Sequence, residues 1–141
     1  FVSSAVMRRF GVAFENSADM NANNNILVGT PAGCFHEMGA LALATAMRKS
    51  GLGVIYLGSN IPPRSWVDAV SRNKASGVVI SVVMPQDAEN AQLCINEIKN
   101  KFPEIHVAVG GAAAALTERA DLLLKGNIES SRKTLTDFYK R

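Results

Sequence analysis

From Ile26 to the end of the chain, short apolar runs alternate with longer amphipathic segments, and no other feature limits the possible folds as much. Strands are expected at Ile26–Gly29, Val54–Leu57, Gly77–Val83, His106–Val109 and Asp121–Leu124. Helices are expected at 37–50, 63–75, 87–101, 113–119 and 128–140. Strands apolar on both faces need helices on both sides, which selects a parallel sheet with right-handed crossovers. The expected fold is therefore an α/β, flavodoxin/Rossmann-like (βα)5 unit with sheet order 2-1-3-4-5. Its ligand crevice lies at the carboxyl ends of the strands, at the switch point between strands 1 and 3.

Punctuation agrees with this register. Gly51 and Gly53 follow the first helix, Pro62-Pro63 opens the second, Pro85 and Asp87 open the third, and Gly110-Gly111 closes the fourth strand. Residues 1–14 carry Val2, Ala5, Val6, Phe10 and Ala13 at helical spacing, and Glu15 to Asn25 is a polar, Asn-rich linker. The expected division is thus 1–25 as the end of an upstream helical segment plus linker, and 26–141 as the Rossmann-like domain. The chain opens on Phe1, as expected for a piece of a longer protein.

At 141 residues and 48% hydrophobic, one domain with a real core is the expected size. The formal charge of +3 comes without a block of like charges. Arg8-Arg9, Arg48-Lys49, Arg132-Lys133 and Lys140-Arg141 are separated doublets without interleaved aromatics, so no nucleic-acid contact is assigned to this segment. Two cysteines make no disulfide framework, and no signal peptide or long apolar run occurs. A reducing, cytoplasmic setting with no membrane contact is expected.

The loops at the carboxyl ends of the strands are small, glycine-rich and nearly uncharged: Thr30 to His36, Gly58 to Ile61, Ser81 to Pro85, Gly110 to Ala113 and Gly126-Asn127. A receiver domain would need clustered carboxylates where Thr30 and Ser81 stand. A flavin phosphate loop would need more hydroxyls than Gly29-Thr-Pro-Ala-Gly-Cys34 offers. A cysteine phosphatase would need an arginine at Ala40. His36, one of two histidines, sits just before a helix with Gly39 one turn on. No other His, Cys or carboxylate set has the spacing to complete a zinc site. If His36 binds a metal, the cofactor must bring the other ligands, as a tetrapyrrole does.

His36-Glu-Met-Gly39, Ser81-Val-Val83 and Gly110-Gly111 are similar to the His-x-x-Gly, Ser-x-Leu/Val and Gly-Gly elements of base-off, His-on cobalamin-binding domains. The intervals resemble that family's too, with forty-one residues between Gly39 and Ser81 and twenty-six between Val83 and Gly110. The wording TPAGCFHEMGALAL and YLGSNIP most resembles the cobalamin domain of MerR-type, light-responsive transcriptional regulators of the CarH/LitR kind. The resemblance implies His36 as the lower axial cobalt ligand and a nucleotide tail sliding between strands 1 and 3. Ser81 would hydrogen-bond in that slot, Val83 would pack on the tail, and Gly110-Gly111 would leave room for its base. Cys34, Phe35, Glu37, Met38 and Gly39 would flank the ligand, with Thr30, Gly58, Ser59, Met84 and Gly126 as further neighbours.

The resemblance further implies adenosylcobalamin as cofactor, no catalysis, and DNA contact only through a domain outside this chain. A homo-oligomer is implied for the full-length protein, and residues 1–14 resemble the end of the helical bundle over the upper corrin face. One departure stands out: the position two before the histidine, usually Asp and in many of these regulators Glu, is Cys34. The alternatives are a corrinoid carrier of a methyltransferase or mutase, and a haem or redox sensor on the same fold. Elsewhere, His106 is expected at the surface, at the far end of the sheet. Trp66, Val67 and Val70 are expected to form the buried face of the second helix, and Leu93, Cys94 and Ile98 that of the third. Of the methionines, Met38 and Met84 are expected near the crevice.

Overall fold

A computed structural model describes residues 7–9 and 24–140. Five parallel strands form one sheet in the order β2-β1-β3-β4-β5. They are β1 (Ile26–Pro31), β2 (Val54–Ile61), β3 (Gly77–Ser81), β4 (His106–Gly110) and β5 (Leu122–Leu123). From Ile26 onward four α-helices flank them: α1 (Met38–Lys49), α2 (Pro63–Asn73), α3 (Ala88–Lys101) and α4 (Ile128–Tyr139). This is the expected doubly wound architecture, with its switch point between β1 and β3.

Successive side chains on a strand point to opposite faces, and the core divides accordingly. Leu27, Val78, Ile80, Val107 and Val109 pack with α2 and α3, while Ile26, Val28, Val79 and Ala108 pack with α1 and α4. On α1 the buried residues Ala40, Leu41, Leu43, Ala44 and Met47 recur at helical spacing. Trp66 and Val70 do the same on α2, with Val67 partly buried beside them. On α3 the buried set is Ala91, Cys94, Ile95 and Ile98. Leu93 departs from expectation: it lies on the opposite side of α3 and is half exposed.

Most element ends shift by one or two residues, as β3 does in ending at Ser81 rather than Val83, and two elements differ further for local reasons. Strand β2 runs four residues past Leu57, to Ile61, beside irregular register shifts in β1. The extension passes through Gly58 and Asn60, both with positive φ (98° and 58°), a conformation that interrupts strand periodicity. The helix expected at 113–119 is a single 3₁₀ turn, Ala114–Leu116. There the Thr117 hydroxyl donates to the Ala114 carbonyl (2.8 Å), while the Gln92 side chain engages both the N–H and the C=O of Glu118. Arg119 then turns with φ 72°. These side-chain bonds replace the backbone ladder that the alanine run favours.

Of residues 1–14 only Met7, Arg8 and Arg9 are described, and they are helical. The rest of that expected helix and most of the linker lie outside the described residues.

Candidate functional site

The loop from β1 to α1 carries His36 and is tied down from three directions. The Thr30 hydroxyl, fully buried, donates to the Cys34 carbonyl at 2.6 Å. The Asn60 N–H is shared between that carbonyl (3.0 Å) and Thr30 Oγ1 (2.9 Å), and Asn60 Oδ1 accepts the Gly33 N–H (2.8 Å). The Asn90 amide donates to the Ala32 carbonyl at 2.9 Å. With each bond contributing about 1 kcal/mol, the loop is a preorganised support. The role of Asn60 and Asn90 is not visible in the sequence, because they come from β2 and α3.

His36 is exposed at the top of this loop, between Phe35 and Glu37. Phe35 is 67% exposed, a large apolar ring with nothing covering it among the described residues. Glu37 is fixed by the Tyr56 hydroxyl, which donates to Oε1 at 2.7 Å. Burial, and then the Glu37 carboxylate, push the Tyr56 phenol well above its ordinary range.

His36 lines a cavity of about 570 Å³ together with Phe35, Glu37, Met38, Gly39 and Val83. Met7 completes its wall, contrary to the expectation that Met38 and Met84 are the methionines at the crevice; Met84 is absent from both cavity walls. A second cavity of about 320 Å³ adjoins it through Gly39 and Val83. It runs over β1, β3 and β4 between α1 and α4, and Ser81, Gly110, Gly111 and Gly126 line it. Among the described residues no charged side chain faces this slot. Leu43 and Ser131, from within α1 and α4, were not singled out in the sequence; Asn127 was seen in the crevice but not as a wall.

The two cavities thus collect His36, Gly39, Ser81, Val83, Gly110, Gly111, Phe35, Glu37, Met38 and Gly126. Thr30 and Cys34 lie buried beneath the His36 loop, while Gly58 and Ser59 sit on β2 outside both walls.

The glycines differ in what they report. A Cβ on Gly111 would meet the Val82 carbonyl oxygen at 2.4 Å, and its φ is +100°, so the fold itself demands glycine there. Gly39 is helical, and a Cβ on it would meet nothing within 4 Å. Glycine in a helix is unfavourable by about 0.5–1 kcal/mol against alanine, so packing does not explain Gly39. The missing methyl opens space where the two cavities join. That is the fit expected of a large neutral ligand that passes from one to the other.

Among the described residues no group of three or more His, Cys, Asp or Glu side chains could hold a metal ion. A metal at His36 has to arrive with its other ligands. His106 is exposed at the start of β4, edge-on to Phe138 with ring centroids 4.8 Å apart, away from both cavities. Cys94 is core, and burial pushes its thiol up to about 12.

The family model for the B12 binding domain matches residues 24–127. The chain belongs to that family. This B12-binding domain is 34% identical over 86 residues to the HTH-type transcriptional repressor CarH of Myxococcus xanthus. The match takes in 57% of the chain and 29% of the repressor, so the chain spans well under half of that relative. Among solved structures, the Methanosarcina barkeri monomethylamine corrinoid protein superposes with a TM-score of 0.77 at 15% identity, covering 95% of the chain and 65% of that protein. The methanol:cobalamin methyltransferase complex MtaBC from the same organism gives 0.75 at 19% identity, covering 89% and 50%. At these identities the two structures establish a shared fold. No helix among the described residues is long and apolar enough to cross a membrane.

Proposed function

We propose that this B12-binding domain is the sensory module of a transcriptional regulator, with His36 as the lower axial cobalt ligand and no catalysis of its own. The observation that carries the reading is the continuity of the His36 cavity with an uncharged slot across Gly39 and Val83. An uncharged slot suits a nucleotide tail because no unpaired charge is buried against it. Ser81 would offer the tail a hydrogen bond, Val83 would pack on it, and the Gly110-Gly111 backbone would give its base room. Phe35 and Met38 would meet the apolar edge of the ring. Bound as adenosylcobalamin, the cofactor would supply a cobalt–carbon bond that light can break.

What remains for the chain's own residues is holding, not turnover. Glu37 is already engaged by Tyr56, and among the described residues no further ionisable side chain lines the His36 cavity to make an acid–base pair. The regulator reading draws on the 34% identity to a transcriptional repressor. DNA contact is assigned to a domain outside this chain, and the full-length protein to a homo-oligomer in a cytoplasmic setting. A corrinoid carrier for methyl transfer is the second reading, and the fold it shares with the methylamine and methanol proteins favours it. A haem sensor has no use for a tail slot, which sets that reading aside.

Two loaded forms separate the readings. The adenosylcobalamin-loaded chain, kept dark or illuminated, should differ in melting temperature and elution volume, and the methylcobalamin-loaded chain should transfer no methyl group to an added thiol. Identical dark and light forms together with stoichiometric methyl transfer would replace the regulator by the carrier.

A further inference from the structure

Glu37 stands next to His36 on the same cavity wall, and its carboxylate does no work for the helix it begins. It is the N-cap residue of α1, where a side-chain oxygen commonly accepts one of the first helical N–H groups, yet no such bond forms. The side chain is held from the other direction instead. Tyr56, paired with Val28 across β1 and β2, donates its hydroxyl to Oε1 at 2.7 Å. Burial, and then the carboxylate itself, push that phenol up, so it stays a donor. Among the described residues no other hydrogen bond or ion pair reaches the Glu37 carboxylate. An ionised carboxyl group has about four lone-pair sites, so a braced acceptor with capacity to spare faces whatever enters the cavity.

Charge narrows what that ligand group is. Among the described residues no lysine or arginine lines either cavity, and Glu37 is the one carboxylate on their walls. An acidic group on the ligand would meet like charge there with no cation to pair with. A neutral N–H group would meet a ready acceptor, and a hydrogen bond with one ionised partner is roughly twice as strong as one between neutral groups. The corrin ring of a cobalamin carries its peripheral carboxyl groups as amides, with propionamide arms descending on the side of the lower ligand. Haem and unamidated corrinoids carry theirs as acids.

We propose that Glu37, braced by Tyr56, determines specificity at this site: it accepts a hydrogen bond from a lower-face propionamide of the corrin and disfavours a ring with a carboxylate in that place. The proposal rests on the reading of His36 as the lower cobalt ligand, since that reading sets the lower face of the ring against Glu37. It adds the selection of amidated over acidic rings.

The test titrates the chain in the dark with aquacobalamin and with its monocarboxylate isomers, each having one lower-face propionamide replaced by propionate, and follows the His-on spectrum. One isomer should bind about 10-fold more weakly than aquacobalamin, as when a hydrogen bond to a charged group is lost. The remaining isomers should bind nearly as well as aquacobalamin. Glu37→Gln, whose amide both accepts and donates, should bind aquacobalamin more weakly and bring the affected isomer level with it. Tyr56→Phe should lose part of the discrimination, and adding it to Glu37→Gln should change the ratio no further. Each ratio compares two ligands on one protein, so a general loss of stability leaves it unmoved. If Glu37→Gln does not fold, Tyr56→Phe decides: a folded variant that keeps the native ratios overturns the proposal. Equal affinities for every isomer in the native chain, or native ratios kept in Glu37→Gln, overturn the specificity role; beside a His-on spectrum lost in His36→Ala they leave the ligand reading standing. A native chain with no His-on spectrum removes the ligand reading, and the specificity role with it.

Discussion

Replacing Gly39 by alanine should make the empty domain more stable and the cofactor bind worse. Gly39 is the second residue of α1, in ordinary helical conformation, and a Cβ there would meet nothing within 4 Å. The cofactor-free chain therefore gains the helix preference of alanine without strain. Near a helix end this is at the low side of the range, about 0.5 kcal/mol. For a domain of this size that is a rise of about 2 °C in Tm. The same methyl projects where the His36 cavity and the slot join. One methyl forced into a filled site costs about 1–3 kcal/mol, or about 5- to 150-fold in affinity. Thermal melts of the cofactor-free protein and cobalamin titrations on the same preparations measure both effects, and Gly39→Val should deepen the binding loss. A variant that binds as tightly as the native chain would refute the argument, because the space beside Gly39 would then not be the ligand's.

Gly111→Ala should behave in the opposite way, lowering the stability of the empty domain by about 2 kcal/mol or more, since its φ is +100° and its Cβ would meet the Val82 carbonyl at 2.4 Å; a denaturant melt checks this. Tyr56→Phe removes the bond to Glu37 and should cost about 1–2 kcal/mol in the same assay, and the native phenol should show no ionisation by ultraviolet absorbance at pH 10. Asp121 is raised by burial but held below its ordinary 3.8 by the Val107 N–H and by Lys99, whose ammonium lies 2.9 Å away. Its stabilising contribution is complete above the unfolded value and disappears as pH falls through the folded one. Asp121→Asn should accordingly be less stable than the native chain at pH 6, with the gap closing toward pH 3 in melts across that range. Cys94, deep in the core with its thiol pushed up to about 12, should resist alkylation at pH 8 until the chain unfolds.

Sheet order and helices α1 to α4 were legible because the runs of β1, β3 and β4 are buried on both faces and the helices repeat apolar residues at helical spacing. The segment after β4 was not, because its alanines favour a helix that Gln92, from α3, prevents by bonding Glu118. Strand β2 overran its expected end because β1 keeps pairing with it across the register shifts at Gly58 and Ile61, where positive φ at Gly58 and Asn60 breaks the alternation that a sequence pattern reads. At the site, His36, Gly39, Ser81, Val83 and the glycine pair could be picked out because their intervals along the chain are themselves the signal. The slot walls Leu43 and Ser131 could not, since they come from within helices, away from the loops at the strand ends where a ligand is sought. Cys34 stood out in the sequence as a missing carboxylate. Folding buries it, and burial pushes its thiol above the ordinary value.

The central claim is that His36 ligates the cobalt of a bound cobalamin. Visible spectra of the native chain and of His36→Ala, each mixed with adenosylcobalamin and aquacobalamin in the dark, test it most directly. The account predicts a base-off, His-on spectrum in the native chain that is lost in His36→Ala, while the variant keeps the native fold by circular dichroism. A spectrum unchanged by the substitution, or a native chain that binds haemin and takes up no cobalamin, would contradict it.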